Sequence, residues 1–137
     1  WSSDVCSSDL IISGTHSGWQ GTRKKILLET LTLMKSNFNS VASNLFAYIS
    51  PSICQLSYEV GAEVATQFPK KYLMNKRVSF FLDLTQINYD FMTEFGIPKN
   101  NIQKSELCSY RMKNFLHSYR RGGLLSGRAL GLIFLKG

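Results

Sequence analysis

Thr15-His16-Ser17-Gly18-Trp19-Gln20-Gly21-Thr22 is the stretch on which the reading of this chain turns. The apolar run Leu10-Ile11-Ile12 leads into it. Leu27, Leu31, Met34 and Phe38, with Ile26 and Thr30 flanking, lead out of it at helix spacing. A strand end, a histidine, two glycines and a helix, in that order, describe a sharp turn where side chains converge. The spacing places Thr22 as the N-cap of a helix over Arg23 to Phe38, its first amides pointing back toward His16. On spacing alone, a hydrogen-bonded structural role is the commoner outcome for a single histidine.

The chain has 137 residues, of which 44% are hydrophobic and 12% aromatic, enough for the packed core of one domain or part of one. A mean hydropathy of -0.08, without an unbroken apolar run near 20 residues, excludes a membrane-spanning helix. Sixteen Lys and Arg against nine Asp and Glu give a net charge of +7, which favours anionic partners such as phosphate esters. Cys6, Cys54 and Cys108 are odd in number and widely spaced, so neither a zinc ribbon nor a disulfide framework is expected. A reducing cytoplasm is the expected compartment. Residues 1–10 are rich in Ser and Asp and lack periodicity; Val5-Cys6-Ser7-Ser8-Asp9-Leu10 looks like a translated adapter, and a non-native leader is expected there.

Leu45 to Ile49 is apolar on both faces, predicting a central strand, followed by a turn at Ser50-Pro51-Ser52-Ile53. Val60, Val64 and Phe68 at four-residue intervals predict a short helix over Tyr58 to Phe68, ended by Pro69. Val78 to Leu82 reads as a strand. Asp83-Leu84 opens a helix with the face Leu84, Ile87, Phe91 and Phe95, closed by Gly96 with Pro98 beyond. Ile102 to Cys108 resembles a further strand of a known family. Phe115 to Arg121 alternates, Gly122-Gly123 turns, and Ala129 to Leu135 returns, predicting a hairpin with a Gly-rich tip. Helices interleaved with strands and a closing hairpin argue for an α+β domain with mixed sheets.

Three other stretches carry the same resemblance. His16-Ser17-Gly18-Trp19-Gln20-Gly21-Thr22 resembles the His-Ala-Gly-Trp-Arg-Gly-Thr motif of the YfiH-like laccase-domain family. Its members carry the names polyphenol oxidase, peptidoglycan editing factor and zinc-dependent purine nucleoside phosphorylase. Ser50 to Gly61 is similar to that family's Gly-Pro-x-Ile-x-x-x-x-Tyr-Glu-Val-Gly signature, and Phe115 to Arg128 to its closing Phe-Ser-Tyr-Arg-Arg-x-Gly…Gly-Arg. The resemblance implies a layered α/β/β/α sandwich, here truncated at the N-terminus, with residues 11–137 as the C-terminal part of one laccase-like domain. It further implies zinc, with His16 as one of three metal ligands and as the catalytic metal residue. The other two ligands, a second histidine and the cysteine of an Ala-Asp-Cys-x-Pro motif, belong to the preceding half. Cys6 is not that cysteine, because it lacks the proline and only nine residues separate it from His16, too few for the strands between.

The implied activities are phosphorolysis of purine nucleosides and deamination of adenosine. Purine nucleosides and phosphate are the expected partners, and Arg120, Arg121 and Arg128 the expected anion-binding residues, with a solvated charged hairpin as the alternative. Gln20 stands where the family has arginine and lacks its charge. Copper is disfavoured because a blue-copper site wants two histidines, a cysteine and an axial methionine. Two other classes compete with this reading. Arg111, Lys113, Arg120, Arg121 and Arg128, with Tyr110 and Tyr119, would suit single-stranded nucleic acid, but no recognised nucleic-acid-binding motif accompanies them. Cys54 or Cys108 would be the nucleophile of a Cys-His hydrolase, but a structural thiol is the plainer expectation. Trp19 and Tyr58 are candidates for stacking on a purine and equally for core packing; His117 is expected to be structural.

Overall fold

The computed structural model describes residues 11–134; the leader expected over residues 1–10 and the last strand residue expected, Leu135, lie outside them. The elements in order are α1 (Trp19–Arg23), α2 (Ile26–Phe38), β1 (Ala47–Ile49), β2 (Glu59–Val60) and α3 (Ala62–Ala65). There follow β3 (Leu73–Lys76), β4 (Ser79–Leu82), α4 (Leu84–Phe95), β5 (Ile102–Lys104) and α5 (Tyr119–Gly122). β1 and β5 pair in parallel, with Ala47 opposite Ile102 and Ile49 opposite Lys104. β2, β4 and β3 form a second, antiparallel sheet in that order. The class is α+β, as the sequence predicts, with one parallel and one antiparallel sheet.

α4 is the helix around which the two sheets are packed. Asp83 caps its N-terminus by accepting from the Gln86 amide at 2.9 Å, and Gly96 ends it at φ 108°, a conformation that strains any side chain. Its Ile87 lies in one apolar cluster with Tyr58, Val60, Val64, Phe68, Tyr72 and Leu82. One turn on, its Met92 lies in the other, with Leu31, Met34, Ile97 and Ile102.

Several expected elements differ. The helix expected from Arg23 is two helices: Thr22 is not its N-cap but a buried residue inside α1, and Lys25 sits in the left-handed region at φ 58° between them. The break lets Trp19 pack on the first cluster while Leu27, Leu28, Leu31 and Met34 reach the second. β1 is covered on one face only; Phe46 and Tyr48 are exposed while Ala47 and Ile49 pack inward. The four-residue spacing of Val60 and Val64 arises from a strand and a helix in succession, because Gly61 breaks between them and β2 pairs with β4. Between Ile102 and Cys108 only Ile102–Lys104 is strand, followed by an isolated parallel bridge from Cys108 to Ser52. The C-terminal hairpin is absent from the described residues: Tyr119–Gly122 is a helical turn, and 127–134 have no regular structure. Alternation makes a strand only where a partner ladder is available, and none lies beside these segments among the described residues.

Candidate functional site

The turn carrying His16 is held by a small polar network. Thr22 Oγ1 donates to the Ser17 carbonyl at 3.2 Å, shares a hydrogen bond with Ser17 Oγ at 3.0 Å, and accepts from Asn88 Nδ2 of α4 at 3.1 Å. A hydroxyl has one proton to give and two lone pairs, so these three contacts saturate it. The glycines are needed for closeness. A Cβ on Gly21 would stand 3.1 Å from Ile26 Cγ2 and 3.4 Å from the His16 carbonyl oxygen; one on Gly18 would stand 3.4 Å from His16 Nε2. The imidazole therefore lies back over Gly18, exposed at the surface. Among the described residues, no three His, Cys, Asp or Glu side chains gather where they could hold a metal ion. His16 is one imidazole, and a catalytic zinc takes three protein ligands; residues 11–134 do not by themselves make the site.

A second locus is built behind the first cluster. A cavity of about 320 Å³ is lined by Ile53, Tyr58, Ser109, His117, Ser118, Tyr119 and Arg120. Arg120 stacks its guanidinium 5.1 Å from the Tyr58 ring centroid and donates to the Glu59 carbonyl at 3.0 Å. Burial raises the Tyr58 phenol above its ordinary pKa, and the Arg120 charge only partly opposes this, so the ring is held neutral. Trp19 packs against the same cluster as Tyr58 and Ile53, which ties the His16 turn to the cavity wall.

The three expected anion-binding arginines take different places. Arg120 lines the cavity. Arg121 faces its own backbone, donating to the carbonyls of Ser109 at 2.8 Å, Tyr110 at 2.6 Å and Leu116 at 2.7 Å. Arg128 donates to the Ser126 carbonyl at 2.7 Å and lies 5.8 Å from the Tyr119 ring centroid. His117 lies on no strand; its ring packs directly over Gly127, leaving no room there for a Cβ.

The sequence offered no sign that Cys54 and Cys108 meet. The Cys54 amide donates to Cys108 Sγ at 3.2 Å, and Ser57 Oγ stands 3.5 Å from Cys54 Sγ and 3.9 Å from Cys108 Sγ. Arg111 Nε donates to that same hydroxyl at 3.3 Å. Burial works to raise the Cys108 thiol. Hydrogen bonds from the Cys54 side chain and amide, and from the Arg111 and Tyr110 amides, outweigh it and bring the pKa down to about 7.

The chain is similar to several known proteins. It is 33% identical to the purine nucleoside phosphorylase of Bacteroides thetaiotaomicron over 132 residues, 90% of this chain and 49% of that protein. It is 31% identical to adenosine deaminase RL5 of an unknown prokaryotic organism, over 92% of this chain and 51% of that protein. Its fold matches a hypothetical protein YfiH of Bacillus licheniformis with a TM-score of 0.73 and 26% identity, over 78% of this chain and 43% of that one. The match to YlmD of Geobacillus stearothermophilus has a TM-score of 0.71 and 25% identity, over 78% and 43% of the two chains. The chain thus spans about half the length of the curated relatives it matches. Residues 6–136 match the model of the multi-copper polyphenol oxidoreductase laccase family, and the chain belongs to that family.

Proposed function

We propose that this chain is the C-terminal portion of an enzyme acting on purine nucleosides, by phosphorolysis or by deamination of adenosine, in the cytoplasm. The observation that carries this is the set of relatives named purine nucleoside phosphorylase or adenosine deaminase, aligned over nine-tenths of the chain at about 30% identity. His16 is proposed as one ligand of a zinc site completed by residues outside 11–134. Zinc supplies Lewis-acid or hydroxide chemistry when bound by three protein groups, of which His16 would be one.

What this chain's own residues would do is bind and orient. Cleavage of the glycosidic bond leaves negative charge on the base and needs phosphate held against the ribose. Arg120 is the proposed phosphate donor, with Arg121 next to it in the sequence and Arg128 beyond the Gly-rich stretch. Arg120 commits one donor to Glu59 and has others to offer, and its side chain lines the cavity of about 320 Å³. The neutral Tyr58, which lines the same cavity, is the proposed aromatic contact for a purine, with Trp19 packed behind it in the first cluster.

The test is a protein in which the family's N-terminal half precedes this portion. It should contain zinc by elemental analysis and release purine base from inosine in a phosphate-stimulated reaction, or ammonia from adenosine. His16→Ala should abolish both metal and turnover, while Arg120→Ala should keep the metal and raise the phosphate requirement. A protein that binds zinc and leaves every nucleoside intact sinks this reading.

A further inference from the structure

We propose that Cys108 and Cys54 form a peroxide-reactive dithiol site, in which Cys108 is the attacking sulfur and Cys54 the resolving one. The proposal stands apart from nucleoside turnover and rests on how two distant loops meet. The parallel bridge between Ser52 and Cys108, closed by the Ser109 amide donating to the Ser52 carbonyl at 2.9 Å, fixes the two loops side by side. That places the Cys54 amide on Cys108 Sγ and brings the Ser57 hydroxyl close to both sulfurs, with the Arg111 guanidinium on the hydroxyl. Amide donors that converge on a sulfur favour its charged form and so stabilise a thiolate. Both cysteines are free thiols. Cys108 is buried and Cys54 partly exposed, which suits a small oxidant such as hydrogen peroxide better than a bulky disulfide.

The chemistry balances with hydrogen peroxide as the oxidant. The Cys108 thiolate attacks one peroxide oxygen: an S–O bond forms, the O–O bond breaks, and hydroxide leaves. Sulfur has been oxidised by two electrons to the sulfenic acid and peroxide reduced by two. The Cys54 sulfur then attacks the Cys108 sulfur: the S–S bond forms, the S–O bond breaks, and the departing hydroxide takes the Cys54 proton as water. Two thiols and one peroxide give one disulfide and two waters. Ile53 and Ser109, the neighbours of the two cysteines, line the cavity that also holds Tyr58 and Arg120, so closing the disulfide pulls on that cavity's wall.

The test uses the full chain with Cys6→Ser as background, so that only this pair can react. Limiting hydrogen peroxide should remove two hydrogens from the intact mass, and peptide mapping should join the Cys54 and Cys108 peptides. Adding Cys54→Ser should stop the reaction at a Cys108 sulfenic acid trapped by a 1,3-dione. Adding Cys108→Ser should slow oxidation of the remaining thiol at least tenfold. The rate should rise about tenfold from pH 6 to pH 8 and then level off, as a thiolate with a pKa of about 7 requires. Matching circular dichroism spectra separate a chemical effect from misfolding. Equal oxidation rates in the two single variants, or peroxide treatment that yields no Cys54–Cys108 linkage, would overturn the proposal.

Discussion

Asn88 Nδ2 donates to Thr22 Oγ1 at 3.1 Å across 66 positions of sequence, and the same amide donates to the Leu84 carbonyl at 2.8 Å within its own helix. The bond joins the turn that carries His16 to the middle of α4, both ends out of solvent. Its partner atom, Asn88 Oδ1, is buried with no hydrogen-bond partner among the described residues. The side chain thus accepts a desolvation penalty on one atom in order to hold the turn with the other.

Breaking that bond should therefore be costly in a non-additive way. Asn88→Ala and Thr22→Val are each expected to lower stability by about 1–3 kcal/mol in urea titration. The double variant should lose less than the sum, because both remove the same contact. Additive losses would show that the two side chains act independently.

Asp90 gives a pH dependence with a definite sign. Burial pushes its carboxyl up, but the Tyr72 hydroxyl at 2.7 Å, Gln86 Nε2 at 2.7 Å and Lys71 Nζ at 3.4 Å outweigh it, and the pKa lies below its ordinary value. A depressed folded-state pKa means stability that is present above the unfolded value and lost as pH falls through the folded one. Thermal melts between neutral pH and about pH 2 should show a shallower acid loss in Asp90→Asn than in the parent chain. Parallel acid profiles would remove Asp90 from the account.

Arg121 is expected to matter to its loop before it matters to any anion. Three carbonyls at positions 109, 110 and 116 converge on its guanidinium. Arg121→Lys keeps the charge but cannot bridge them with a planar fork. Both Arg121→Lys and Arg121→Ala should raise amide hydrogen exchange across 109–116 by about tenfold or more, which corresponds to losing roughly 1.4 kcal/mol. Unchanged exchange in Arg121→Lys would mean that charge alone suffices.

The apolar surface predicts behaviour in solution. Phe46, Leu124, Leu125, Leu130 and Leu132 are each at least 80% exposed, and β1 has its only described neighbour, β5, on one side. Large apolar patches and open strand edges drive association. The chain at micromolar concentration should bind a hydrophobic dye and scatter light increasingly with salt. A monodisperse monomer with a sharp, cooperative melt would contradict this.

The sequence showed most where local chemistry settles structure. Asp83 and Gly96 bound α4 because a carboxylate cap and a left-handed glycine act within a few residues. It showed least where structure needs distant partners. The β3–β4 hairpin turns at Arg77, a non-glycine residue at φ 55°, so no Asn-Gly or Asp-Gly signal announces it. Lys25 breaks the first helix because two clusters pull its halves apart, which no helical periodicity records. The placement of His16 on a tight glycine turn was legible. The cysteine pair was not, since 54 positions separate its members and the bridge at Ser52 is a tertiary event.

The position of Asn88 on α4 has a kinetic meaning. It lies next to Ile87, which belongs to one apolar cluster, and a turn before Met92, which belongs to the other. The anchor of the His16 turn therefore sits at the seam where the two clusters meet. Neither cluster by itself fixes the amide that reaches Thr22; both must close around the helix first. Geometry at His16 is then expected to form late as the chain folds and to loosen early when either cluster is disturbed. A core substitution far from the turn, in either cluster, should register there as motion before it registers as unfolding.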